Sequence, residues 1–199
     1  MTVTDAMLAG WLQMYFWPFL RIGGLAMTAP LLNAQAVAPR IRLMLALALT
    51  LVLAPLLPRL PAMPLFGASW WLCIGHEFFI GAALGFVLQL VFEAVMLAGE
   101  LISYGMGLGF AQLLHGASAP MLGQFYQVCA MLLFLSLGGL GQLAQLLADS
   151  FHAAPAGAGV VGAGSFRALA DFGGLCFGGA LRIALPAVMA LLVVNLCFG

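Results

Sequence analysis

The chain has no lysine, and only 12 of its 199 residues are formally charged: six arginines and six acids. At 6% charged it lies far below the roughly 25% of an ordinary soluble domain. So few charges cannot cover a water-facing surface, which excludes a soluble globular enzyme. A chain that is 65% apolar, with mean hydropathy +1.16, is the compositional opposite of a disordered one. Its formal net charge of zero offers nothing to phosphate, which excludes a nucleic-acid module. Paired cysteines are missing too. Cys73, Cys129, Cys176 and Cys197 lie far apart in apolar runs with no C-x-x-C, so they read as small buried apolar residues.

Catalytic signatures are also lacking. His76-Glu77 begins an H-E-x-x-H, but Ile80 stands where the second histidine belongs. Asp149-Ser150-Phe151-His152 holds the residue types of a triad in adjacent positions, which cannot form one, and G-x-S-x-G is absent. Gly107-Leu108-Gly109 is not completed to a dinucleotide fingerprint. No metal, cofactor or catalysis is implied. No segment alternates as barrel strands require.

What is present is a series of long apolar runs: Leu8–Met27, Ile41–Leu57, Ser69–Met96, Met121–Leu147 and Phe172–Phe198. Runs of about 20 apolar residues span a bilayer as helices. Pro30, Asn33 and Pro39 break the first pair, and Pro55, Pro58, Pro61 and Pro64 the second. Trp70 and Trp71 open the third run as expected interfacial anchors. Asp149 to Asp171 reads as a Gly/Ala-rich connector. The chain is therefore expected to be all-α, an integral membrane protein of about five long apolar helices with a Gly-rich central loop, forming a single membrane-embedded domain over residues 1–199.

Three features could carry function. Glu77, Glu93 and Glu100 lie in or beside apolar helix, as do Arg21 and Arg182. Charges at that depth pair or face a cavity. The acids could line a pore or proton site, or form ion pairs with Arg21, Arg182 or a partner subunit. Glu93 and Glu100 share one face if their helix is continuous. The glycine pairs Gly81/Gly85, Gly105/Gly109 and Gly174/Gly178 suit close helix packing, within the chain or between subunits. Finally, the 48 residues from Leu101 to Ala148 hold no formal charge, and Gly105-Met106-Gly107-Leu108-Gly109-Phe110 lies within them. Alternating glycines loosen a helix, while methionine, leucine and phenylalanine exclude water. A movable seal and a re-entrant turn both fit.

Several blocks together resemble the FliR family of flagellar export gates, whose injectisome counterparts are the SctT proteins. They are Trp17-Pro18-Phe19-Leu20-Arg21-Ile22-Gly23-Gly24-Leu25 with Ala29-Pro30, Val37-Ala38-Pro39-Arg40-Ile41-Arg42, Glu77 to Phe86, Ala98 to Ala111, Asp149-Ser150-Phe151-His152 with Pro155, and Ala184-Leu185-Pro186 through Asn195-Leu196. The order matches almost from end to end. His115-Gly116 stands where the family often carries Asp-Pro, and Gly138-Gly139-Leu140 where it has Asn-Gly-His. The family continues beyond the position of Gly199, so a C-terminally truncated member is expected.

The resemblance implies a non-enzymatic subunit of a helical pore assembly in the bacterial inner membrane, within a flagellar basal body or an injectisome. It implies FliP-like and FliQ-like partners, an FlhB-like switch protein, contact with lipid, and unfolded proteins as cargo. It implies that the segment from Gly105 to Gly116, with Met106, Gly107, Leu108, Gly109 and Phe110, plugs the pore. The alternative is a stand-alone multi-pass transporter or channel using Glu77, Glu93 or Glu100.

Overall fold

The computed structural model describes residues 5–30, 38–57, 67–107, 121–155 and 162–198. Among them are six α-helices and no strand: α1 (Asp5–Thr28), α2 (Pro39–Leu53), α3 (Ala68–Gly105), α4 (Met121–Ser136), α5 (Gly139–Ala153) and α6 (Ala163–Phe198). A 3-10 turn, Ala54–Leu56, follows α2.

The boundaries have local causes. Pro39 opens α2, because its fixed φ suits the first turn and its missing N–H is not needed there. Pro18 and Pro186 lie inside α1 and α6 without ending them. The expected run Met121–Leu147 is two helices, which makes six rather than five. The break falls where Gly138 takes a left-handed φ of 72°, a conformation that costs other residues a clash. The expected connector is also shorter: α5 continues through Asp149 to Ala153, and α6 already includes Asp171. Alanine carries helix through what reads as a loop on its glycines alone.

Among the described residues, α3 (Trp70–Gly105) and α6 (Gly164–Phe198) are each long and apolar enough to cross a membrane. The α4–α5 pair qualifies as a third, broken span.

The helices divide into two compact units, Met1–Leu88 with Gly138–Ser165, and Gln89–Leu137 with Phe166–Gly199. In the first, Ile22, Leu25 and Ala29 pack with Ala46 and Leu53 of α2 and Leu147 and Phe151 of α5. A second cluster joins Trp17 to Cys73. There Phe16 stacks on Trp70 at 5.6 Å with planes 3° apart. Trp71 instead stands 61% exposed. Adjacent helix positions point about 100° apart, so only one of the two tryptophans is placed on the outer surface.

Glycines set the approach of α1 to α3. A Cβ on Gly24 would strike the carbonyl of Phe78, one on Gly81 the carbonyl of Arg21, and one on Gly85 the Thr28 hydroxyl. Backbones this close allow Thr28 Oγ1 to donate to Ala82 O at 3.0 Å, helix to helix. In the second unit, Ala98 and Ile102 of α3 pack on Ala180 and Ala184 of α6. Gly99 meets Gly123 of α4, whose Cα would lie 2.9 Å from an added Cβ.

Candidate functional site

The first unit is organised around one buried ion pair. Arg21 of α1 and Glu77 of α3 have side chains that are both 0% exposed, with Nη2 to Oε2 2.7 Å. Arg21 Nε–H also donates to that Oε2 at 2.8 Å. The rest of the guanidinium is spent on α5: Nη1 donates to Ser150 Oγ at 3.1 Å and Nη2 to the Ala154 carbonyl at 2.8 Å. The Phe151 ring centroid is 3.8 Å from Cζ, close enough for a cation–π contact. Ser150 Oγ–H in turn donates a hydrogen bond to Leu147 O at 2.6 Å.

Each helix supplies what its neighbours lack. The last carbonyls of α5 have no partner within the helix, and Arg21 takes one of them. A cation there also meets the negative end of the helix dipole. Arginine is required because only its planar fork reaches a carboxylate, a hydroxyl and a carbonyl at once. One valence is left over. Glu77 Oε1 has no hydrogen-bond partner among the described residues and lies 3.8 Å from His76 Nδ1, beyond bonding distance.

Sequence reading selected Arg21 and Glu77 but not what else meets them. Ser150 and Phe151 belong to the stretch dismissed as a triad, and they are a mount for Arg21 instead. Asp149 and His152 flank them on the outside of α5, both exposed, with His152 Nδ1 3.0 Å from Ala148 O.

The second unit holds the other two acids. α3 is continuous through both, so Glu93 and Glu100 share a face and line one cleft of about 310 Å³. Leu90, Ala94, Met96 and Leu97 form its α3 wall, and Gly173, Cys176 and Phe177 of α6 stand opposite. Arg182 is exposed on α6 and pairs with no acid among the described residues.

The packing glycines differ in their surroundings. Gly81 and Gly85 are closed against α1, whereas Gly174 and Gly178 have nothing within 4 Å of an added Cβ. Of the central segment, Gly105 ends α3 with Leu191 and Val188 of α6 at 3.6 Å from an added Cβ. Met106 is 41% exposed, and Gly107 turns with φ 75°. Leu108, Gly109 and Phe110 lie outside the described residues.

An apolar multi-helix chain with a buried ion pair that joins three helices, and with two further acids lining an apolar cleft, has the character of a membrane assembly component. Comparison with known proteins gives the class: residues 12–199 match the bacterial export proteins, family 1. The flagellar biosynthetic protein FliR of Escherichia coli is 40% identical over 202 residues, covering 99% of this chain and 76% of that protein. FliR of Pectobacterium carotovorum is also 40% identical, over 196 residues, covering 96% and 74%. FliR of Aquifex aeolicus is 29% identical over 180 residues, covering 89% and 70%. The chain belongs to the FliR family. It is a flagellar export protein of the inner membrane, a component of the type III export gate, and not an enzyme.

Proposed function

We propose that this chain is a pore-forming subunit of the gate. It assembles with FliP-like and FliQ-like subunits beside an FlhB-like switch protein, and unfolded proteins cross the membrane through the pore. The segment Gly105-Met106-Gly107-Leu108-Gly109-Phe110 closes that pore between export events. The observation that carries the reading is the end of α3: a 38-residue apolar helix stops at Gly105, and two residues on Gly107 turns the chain with φ 75°. It hands over there to an uncharged, glycine-alternating segment. Lipid alone asks for no such ending, since a leucine-rich helix would satisfy it. A seal needs both apolar side chains and a backbone that can be displaced.

The test replaces Gly107 with Asp, or deletes residues 106–110, and measures ion leak and flagellar export in cells. A charged or missing seal raises leak and disturbs export. Unchanged leak together with unchanged export overturns the plug. The stand-alone transporter reading draws on the Glu93–Glu100 cleft. A stable homogeneous pore purified without any gate partner would favour it.

A further inference from the structure

The cleft of the second unit is chemically unbalanced. Glu93 and Glu100 both lie inside the membrane-length part of α3, and the remaining lining is apolar apart from the Cys176 thiol. Neither carboxylate has a hydrogen bond or ion pair among the described residues. The unit's own described cations, Arg167 and Arg182, are exposed on α6 and pair with neither. Carboxylates at membrane depth are retained where they pair or face a cavity. The site is also shaped. An added Cβ on Gly123 of α4 would lie 3.0 Å from Glu100 Cγ, so that glycine is what leaves room for the glutamate. On α6 the cleft rim continues into the open glycines Gly174 and Gly178 and the exposed Leu175, where another backbone can approach closely.

We infer that the α3–α6 cleft is a docking surface for an apolar helix of a neighbouring gate subunit, whose arginine or lysine side chain enters between Glu93 and Glu100. The charge selects a cation and the apolar walls select a helix to carry it. The small residues of α6 let that helix come near. The inference rests on the assembly reading above and names the contact that assembly uses.

The experiment co-expresses the whole chain with its FliP-like and FliQ-like neighbours and measures their recovery with it in mild detergent. Glu93→Arg with Glu100→Arg lowers recovery of one neighbour at least ten-fold, and Glu93→Gln with Glu100→Gln lowers it less. Replacing one Arg or Lys of that neighbour by Glu restores recovery with the arginine variant. An impermeant maleimide labels Cys176 in the chain alone and at least ten-fold more slowly in the assembly. Equal recovery of wild type and arginine variant overturns the inference and leaves the assembly reading standing. So does equal labelling of Cys176 in both states. A loss that no neighbour reversal restores, with the glutamine variant like wild type, also overturns it, because the loss is then one of folding. A wild-type chain that recovers no neighbour overturns both readings.

Discussion

Arg21 shows why a charge can persist in a chain so poor in charge. Moving its guanidinium out of water is unfavourable unless every side of it is answered. Glu77 of α3, and Ser150, the Ala154 carbonyl and the Phe151 face of α5, answer it from two helices. Removing one partner is therefore worse than removing both. Glu77→Leu leaves a buried unpaired cation and is expected to destabilise the first unit by about 3–5 kcal/mol, whereas Arg21→Leu with Glu77→Leu recovers most of that loss. Thermal unfolding in detergent, run as a double-mutant cycle, checks both. Ser150→Ala removes one neutral acceptor and is expected to cost about 1 kcal/mol. A cycle with no coupling between positions 21 and 77 would contradict the clamp.

The glycines make opposite predictions at the scale of the helix. Inside a lipid-facing bundle, apolar burial drives little association, so close packing decides which helices meet. Gly81→Ala adds a methyl where the carbonyl of Arg21 already stands. The helices must part, and the Arg21 clamp is displaced with them. Gly178→Ala meets nothing within 4 Å, so it is expected to leave the isolated chain as stable as before, or more stable by up to about 1 kcal/mol of helix propensity. The melting temperature of the Gly81 variant should fall, while that of the Gly178 variant should hold or rise. The same substitution at Gly138 trades glycine for a strained left-handed alanine and is expected to cost about 1–2 kcal/mol.

For the whole molecule the question is what covers α3 and α6. Their membrane-length stretches of 36 and 35 residues measure about 54 and 52 Å along the axis, against a hydrocarbon layer of about 30 Å. Apolar side chains remain exposed along both, from Trp71 and Leu72 to Leu196 and Phe198. Lipid can shield only part of such a length. A cysteine scan along α6 is expected to find about 20 shielded positions for the chain alone in a bilayer, and a stretch beyond 30 when it is assembled with its partners. A shielded stretch of equal length in both states would mean that tilt, rather than partners, accommodates the helix.

Much of this was legible in one dimension. Apolar runs long enough to span a bilayer identify helices, because lipid leaves every backbone polar group to be satisfied within its own segment. Blocks such as Glu77 to Phe86 and Ala98 to Ala111 carry the family resemblance by residue order alone. The break at Gly138 was not legible, since a glycine inside an apolar run reads equally as helix, and only its positive φ distinguishes it. Nor was the use of Ser150 and Phe151, which stand 129 and 130 positions from Arg21. Nor could glycines closed against a neighbour be told from those left open. Composition and pattern determined a helical membrane protein, because solvation by lipid acts on each segment separately, and residue order alone carried the resemblance to the export gate. Only the tertiary structure decided which charges meet and which remain for another chain, because pairing depends on distances across helices that no local pattern contains.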